Sequence, residues 1–412
     1  MQRAAFTLVD GHRIELLTGS RELFPALVAA MAQARSEIRL ETYIFDFTGD
    51  SVQIAHALMR AAQRGVDTCV LVDGVGTGAL PAIWQQRFHA AGVQCRVYAP
   101  LGTLGLLLPS RWRRLHRKLC VIDGREAFCG GINILDDLHD PGHGPQTHPR
   151  LDFAVQVRGA LVLQAQEAVA RQWWRTEAMR RIRESGGRPL WRSLRATGLR
   201  RLRWVRFPRR MHRPEPVRHS AFLLLRDNLR HRHDIERAYL RAIGNAREEI
   251  IIANAYFLPG RKLRHALAAA ARRGVKVQLL LQGRYEYFMQ FHAARPVLGS
   301  LLAAGIEIHE YAAGFLHAKV AVIDAQGGRI WATVGSSNLD PLSLLLAREA
   351  NVVVRDGAFA AALRERLQQA MAQHARRLDV SAFARRPLGQ RLLDRVALGL
   401  MRLALFLTGR SY

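Results

Sequence analysis

His116-Arg117-Lys118-Leu119-Cys120-Val121-Ile122-Asp123 and His317-Ala318-Lys319-Val320-Ala321-Val322-Ile323-Asp324 are the two stretches on which the reading of this chain turns. Both have the form His-x-Lys-x4-Asp, and in both the residues between lysine and aspartate are apolar. In an extended strand, residues i and i+2 point to the same face, so each histidine projects with its lysine while Arg117 and Ala318 point the other way. The apolar run that follows is what a strand buried on both faces of a sheet requires. The sequence therefore predicts that His116, Lys118, His317 and Lys319 stand at the mouths of packed cores, rigidly presented. A single His-x-Lys is a common surface accident, whereas two in matching surroundings are not.

The surroundings do match, and self-similarity of this kind identifies an internal repeat. A helical run ending at Ala34 leads to an apolar strand over Ile38–Phe45, a helix ending in Arg64-Gly65-Val66 and a strand over Cys69–Val72. The second half repeats the order: a helix ending near Ala246, a strand over Ile250–Phe257, a helix ending in Arg273-Gly274-Val275 and a strand over Val277–Leu281. Gly92-Val93 and Gly305-Ile306 then open another strand before each His-Lys-Asp segment. Strand–helix alternation with short connections predicts an α/β fold. It should comprise two tandem domains, each a mixed sheet flanked by helices, packed face to face. We divide the chain into a first domain at 1–185, a connector rich in Arg, Trp and Pro at 186–218, a second domain at 219–386 and a basic amphipathic segment at 387–412.

Downstream of each motif stands a turn of small residues ending in asparagine, Gly130-Gly131-Ile132-Asn133 and Gly335-Ser336-Ser337-Asn338. Small residues let a backbone approach a phosphate closely, and an asparagine amide can donate to a phosphoryl oxygen. Asn133, Asn338 and Ser336 are thus candidate phosphate-binding or supporting residues. Asp152 and Glu349 follow, each suited to accept from an imidazole N–H and fix its tautomer. His139, His143 and His148 are irregularly spaced in a Gly/Pro-rich stretch, which reads as a polar loop. Cys69, Cys95, Cys120 and Cys129 show no CxxC spacing, so neither a metal site nor a disulfide framework is expected.

With 61 Lys and Arg against 34 Asp and Glu, the net charge is +27 and the isoelectric point about 11.4, so polyanions attract this chain. Charge alone does not choose between nucleic acid and an anionic lipid surface. Met1 to Leu17 lacks the features of a secretory signal, and no run reaches the length of a membrane span, so a cytoplasmic location is expected. In the tail, Leu392, Leu393, Val396, Leu400, Leu403, Ala404 and Leu407 recur at helical spacing, with Arg391, Arg395 and Arg402 beside them. That pattern suits a helix lying in a bilayer interface, and equally a helix packed on the protein's own core.

The paired motifs within a full repeat resemble the phospholipase D superfamily over about Ile14 to Val354. The segments Gly335-Ser336-Ser337-Asn338-Leu339-Asp340-Pro341-Leu342-Ser343, Glu349-Ala350-Asn351-Val352 and Gly314-Phe315-Leu316-His317-Ala318-Lys319 are similar to those of bacterial cardiolipin synthases of the phospholipase D type. One departure is Ala347-Arg348 ahead of Glu349, where the superfamily pattern has an asparagine two residues before the acid. The resemblance implies two domains related by a pseudo-twofold axis around one shared active site, without cofactor or metal. It implies a phosphohistidine path in which His116 is the nucleophile, His317 the general acid and base, Lys118 and Lys319 the oxyanion partners, and Asp123 and Asp324 residues that orient the strands.

A cardiolipin synthase would transfer a phosphatidyl group from phosphatidylglycerol to the glycerol hydroxyl of another and release glycerol. Phosphatidylethanolamine is a further candidate lipid, and the expected site of action is the cytoplasmic side of the bacterial inner membrane, bound peripherally. Transfer beats hydrolysis only where water is scarce, which calls for an apolar entrance. Leu101–Pro109, followed by Arg111-Trp112-Arg113-Arg114, is the candidate. A phosphatidylserine synthase or a lipid hydrolase would share these catalytic residues. A nuclease of the same superfamily would suit the charge, but no base-reading motif accompanies it and no nucleic-acid partner is expected. The oligomeric state is left open by the sequence.

Overall fold

The computed structural model describes residues 9–101, 105, 112–184, 219–228, 230–284 and 288–407. The connector over 186–218 therefore lies outside the described residues, as does most of the Leu101–Pro109 entrance. The first repeat runs β1 (Val9–Thr18), α1 (Gly19–Gln33), β2 (Glu37–Thr42), α2 (Val52–Gln63), β3 (Asp67–Asp73), α3 (Ala82–Ala91), β4 (Gln94–Tyr98), β5 (Lys118–Ile122) and β6 (Glu126–Gly130). A short hairpin of β7 (His139–Asp140) and β8 (Gly144–Pro145) follows, then β9 (Phe153–Arg158) and the long α4 (Leu161–Glu184).

The second repeat reproduces this order: β10 (His219–Arg226), α5 (Asp234–Asn245), β11 (Glu249–Asn254), α6 (Arg261–Arg272), β12 (Lys276–Gln282), α7 (Phe288–Ala303), β13 (Glu307–Tyr311), β14 (Lys319–Ile323) and β15 (Trp331–Gly335). After the short α8 (Pro341–Leu345) come β16 (Glu349–Arg355), α9 (Gly357–His374), β17 (Ala375–Arg377), α10 (Val380–Ala384) and the terminal α11 (Leu388–Leu407). The repeated Arg-Gly-Val has a local cause in both halves. Gly65 and Gly274 take φ of 90° and 87° just past α2 and α6, where glycine ends a helix without steric penalty. The arginine before each reaches the end of the preceding helix, Arg64 donating to Met31 O and Arg273 to Ile243 O.

Both sheets are mixed, with β2, β3 and β4 parallel in one and β11, β12 and β13 in the other, the remaining pairs being antiparallel. Each half is ordered as a mirror of the other about the antiparallel pair β1–β10, so among the described residues all strands except the β7–β8 hairpin form one continuous 15-stranded sheet. The edge pairing adds to the expected face-to-face packing, in which buried residues of both repeats meet in one core. One apolar core draws on both repeats, with Leu119, Val121, Val155, Val320, Val322 and Val352 among its buried members. Separate outer cores lie under α1–α3 and under α5–α7. Burying a valine or leucine contributes roughly 1.5–3 kcal/mol, so the shared core holds the two halves in a fixed relation.

The strands start later than sequence periodicity suggested. His116 and His317 lie two residues before β5 and β14, in extended segments secured by single bridges, Leu115 to Arg348 and Leu151 to Leu316. The tail forms the expected helix, and it packs on α7, although not through its leucine stripe. Asp394 and Ala397 are buried, with Leu398 and Met401 partly so, on a face whose spacing is that of one helical side. Asp394 accepts from His292 Nδ1 at 2.7 Å and from Arg386 Nη1 at 2.8 Å. Leu392, Val396, Leu400 and Leu403 remain 49–64 % exposed. The helix thus carries three sides, one packed, one of arginines and one of uncovered apolar residues.

Candidate active site

Each histidine is pinned through its backbone by the opposite repeat. The His116 N–H donates to Arg348 O at 3.0 Å and the His317 N–H to Leu151 O at 2.9 Å. The residue after each of those carbonyls is the carboxylate that meets the ring. His116 Nδ1 lies 3.0 and 3.1 Å from the two carboxylate oxygens of Glu349 and 3.1 Å from Ser336 O. All three are acceptors, so Nδ1 carries the proton and Nε2 is left for chemistry. His317 Nδ1 lies 2.6 Å from Asp152 Oδ2. The carboxylates expected to orient the imidazoles therefore do so crosswise, each from the other repeat.

The lysines complete the cluster. Lys118 Nζ donates to His116 O at 2.9 Å, and Lys319 Nζ donates to His317 O and lies 3.9 Å from Asp152 Oδ2. Burial and the neighbouring Lys319 bring the Lys118 ammonium down to about 7. Burial lowers His116 below its ordinary 6.5, against the pull of Glu349. His317 falls well below the same value, from burial and from the positive charges of Lys319, Lys118 and Arg150. Burial raises the Asp152 carboxyl to about 7, although Lys319 opposes the rise. Asp152 and His317 are therefore a coupled pair, with the carboxyl shifted up and the imidazole shifted down. The Oδ2···Nδ1 contact occupies one side of the ring, so Nε2 is the His317 nitrogen left for chemistry.

Asn133 and Asn338 border the same open cleft, which is lined by both histidines. Asn133 Oδ1 accepts from the Ile44 N–H at 3.1 Å, which turns its amide N–H groups into the atoms available to a ligand. Of the two roles open to it, phosphate binding or support, Ser336 is placed for support of the site. It is fully buried, its hydroxyl donates to Glu349 Oε2 at 2.5 Å and accepts from the Ala350 N–H at 3.0 Å, and so it anchors the carboxylate. The glycines of the first turn also serve packing ahead of phosphate approach. A Cβ on Gly131 would sit 2.3 Å from Asp152 Oδ1, so only glycine leaves room for the carboxylate beside His317.

Asp123 and Asp324 lie at the far ends of β5 and β14, away from the imidazoles. Asp123 accepts from the N–H groups of Arg35, Ser36 and Glu37 at 2.8–2.9 Å, and Asp324 from those of Arg247, Glu248 and Glu249 at 2.9–3.1 Å. They fasten the motif strand to the turn entering β2 or β11.

Several cleft residues escaped the sequence reading. The Tyr43 ring meets His116 edge-on at 5.0 Å and lies 5.3 Å from Lys118 Nζ. Its position at the end of β2 corresponds to Ala255 at the end of β11, so the two histidines differ in their neighbours. Arg150 also lines the cleft, together with Trp112 and Arg114 from the basic stretch that the sequence places at the entrance. Arg150 directly precedes Leu151-Asp152, which is the one local signal that marked it. The stretch read as a polar loop is the β7–β8 hairpin, and it brings Asp140 and His143 to the cleft wall. Among the described residues, no group of three or more His, Cys, Asp or Glu is placed to hold a metal ion.

Two equivalent α/β units that each give one His-x-Lys to a single cleft define a phospholipase D-like architecture. A family model described as "Cardiolipin synthase, PLD-like domain" matches residues 27–137 and 239–371, so both repeats are covered. This chain belongs to that family. It is 38% identical over 390 residues to cardiolipin synthase B of Salmonella typhi, covering 92% of this chain and 84% of the relative. Identity to cardiolipin synthase B of Escherichia coli K12 is 37% over 386 residues, with the same coverage. The phosphatidylserine synthase structure from Haemophilus influenzae shares the fold, with a TM-score of 0.65 at 13% identity over 96% of this chain and 95% of that one. Polyphosphate kinase from Porphyromonas gingivalis is also similar in fold, with a TM-score of 0.54 at 17% identity over 94% of this chain and 53% of that one.

Proposed function

We propose that the cleft transfers a phosphatidyl group between phosphatidylglycerol molecules, forming cardiolipin and releasing glycerol through a phosphohistidine. The observation that carries this is the crossed pairing of His116 with Glu349 and His317 with Asp152, which gives one cleft two oriented imidazoles. His116, neutral with its proton on Nδ1, attacks phosphorus through Nε2. As the P–O bond to the headgroup breaks, His317 Nε2 gives its proton to the departing glycerol oxygen. The acceptor hydroxyl then returns a proton to His317 as its oxygen attacks phosphorus and the P–N bond breaks, freeing His116. Lys118, Lys319 and the amides of Asn133 and Asn338 are the groups that meet charge on the non-bridging oxygens.

The same reading places the protein peripherally on an anionic membrane, at the cytoplasmic face of the inner membrane. No helix among the described residues is long and apolar enough to cross a bilayer. The uncovered leucines and the arginines of α11 suit an interface position, and Leu400 and Met401 of that helix border the cleft, so the surface that would meet lipid leads into the site. Incubation with phosphatidylglycerol vesicles is the test: cardiolipin and glycerol should form in equal amounts. Phosphatidic acid as the sole lipid product would move the assignment to a hydrolase.

A further inference from the structure

Beside the histidine cleft lies a second, open pocket lined by the second repeat and by Met401 of α11. Tyr256, Gln290, Asp340, Pro341 and Met401 border both spaces, so they are contiguous. The wall is mainly apolar, with Phe257, Leu258 and Leu298 buried in it. Two arginines also line it. Arg295 Nη1 pairs with Glu310 Oε1 at 2.8 Å, its guanidinium 4.2 Å from the Phe291 ring centroid. Arg284 donates to Ala313 O at 3.0 Å and to Gln146 Oε1 at 2.7 Å.

Two glutamines give the cavity its chemistry. Gln282 Nε2 and Gln290 Oε1 are buried and have no hydrogen-bond partner among the described residues. Both glutamines line this one space, and buried unpaired amide atoms of this kind call for a partner. A hydroxyl group is donor and acceptor at once, so adjacent hydroxyls on one small molecule can satisfy both amides.

We infer that this side cavity is the alcohol subsite, and that it binds the glycerol headgroup of the lipid through Gln282 and Gln290. The inference rests on the phosphatidyl-transfer reading above. In a two-step exchange through one phosphoenzyme, the departing and entering oxygens occupy the same position relative to phosphorus and use the same acid and base. One subsite must therefore accept glycerol as it leaves and the glycerol end of the next lipid as it arrives. The entering lipid carries a phosphate that free glycerol lacks, and Arg284, whose hydrogen bonds go to the neutral Ala313 O and Gln146 Oε1, supplies positive charge for it while leaving room for the smaller alcohol.

The test uses the full-length protein with phosphatidyl-p-nitrophenol in detergent micelles, a donor whose leaving group carries no vicinal hydroxyls. Free glycerol or ethanol is added as acceptor, and the ratio of transfer product to phosphatidic acid is read. Because it is a ratio, it does not depend on how fast a variant turns over. Gln290→Leu and Gln282→Leu should each lower the glycerol transfer ratio by about tenfold or more, and should leave the ethanol ratio near that of the unsubstituted protein. Gln290→Glu, which keeps an acceptor oxygen, should retain most of the glycerol ratio. An unchanged glycerol ratio in both leucine variants, or an equal drop for ethanol, overturns the subsite. If the unsubstituted protein transfers to neither alcohol, the phosphatidyl-transfer reading fails first. If Gln290→Leu releases no p-nitrophenol, Gln282→Leu decides.

Discussion

His317 and Asp152 lie 165 residues apart in sequence and meet at 2.6 Å, and the pair His116 and Glu349 repeats the contact in the opposite direction. Neither repeat alone holds an oriented histidine. The shared core and the bridges at Leu115 and Leu151 are therefore part of the site, since a shift between the halves would break both pairs at once.

Replacing the carboxylates tests the crossed pairing. Asp152→Asn and Glu349→Gln should each reduce phosphatidyl transfer by about 100- to 10,000-fold, the range for a lost orienting partner or general acid. Asp152→Asn combined with His317→Ala should be no slower than His317→Ala alone, because the two residues act as a unit. Fully multiplicative losses in steady-state rates would separate Asp152 from the function of His317.

Trapping the intermediate tests the order of the histidines. With labelled phosphatidylglycerol, the unsubstituted protein quenched in base should carry an acid-labile phosphatidyl adduct on His116, located by peptide mass spectrometry. His116→Ala should carry none. An adduct on His317 would exchange the two roles.

The pH profile follows from the shifted groups, with signs fixed by the directions. The proton that His317 delivers belongs to a pair whose carboxyl is raised to about 7, and the Lys118 ammonium is lowered to about 7. Both changes remove what the reaction needs as pH rises, so kcat/KM should fall on the basic side with a midpoint near 7. The His116 nucleophile stays neutral to below 6.5, so the acidic limb should lie under that value. Stability carries the same sign for Asp152. Its carboxyl is raised in the folded protein, so its favourable contribution is complete below the ordinary carboxylate range and is lost as pH rises towards 7. A basic limb above pH 9 would show that neither group limits the rate.

Much of this was legible in the residues. The repeat, the α/β class and the motif lysines follow from strand and helix periods and from glycines that only a left-handed turn explains, such as Gly65 and Gly274. What periodicity does not carry is contact between distant segments. Nothing local tells that Asp152 serves His317 and not His116, that Ser336 holds Glu349, or that Gly131 is small to admit a carboxylate. The tail shows the same limit. Its leucine stripe was visible, but its packed face uses Asp394, whose burial depends on His292 and Arg386 from other segments.

That packing changes how membrane binding is tested. Deleting α11 would uncover the core under α7, whereas substitution on the outer face leaves the packed side intact. Leu392→Glu with Leu400→Glu should weaken sedimentation with anionic vesicles by about tenfold or more, since each removes an inserted leucine and adds a negative charge. Binding by the unsubstituted protein should also fall as salt rises from 0.1 to 0.5 M by about an order of magnitude. Unchanged sedimentation of the double variant would leave the exposed face without a lipid role.

Asp324 separates strand-fastening from chemistry. It is buried and takes φ of 49°, a left-handed conformation that Asp and Asn tolerate better than branched residues. Its carboxylate accepts three successive backbone N–H groups from Arg247, Glu248 and Glu249, five residues beyond Lys319 and so about 16 Å along the strand from that lysine. Asp324→Ala leaves those donors unpaired and should cost about 2–4 kcal/mol in urea unfolding. Asp324→Asn keeps one acceptor oxygen and the backbone tolerance, and should cost about half as much. For both, transfer per folded molecule should fall far less than for His317→Ala, because the loss acts through the strand and not through a proton. A collapse of turnover in a stably folded Asp324→Asn would place this carboxylate in the reaction itself.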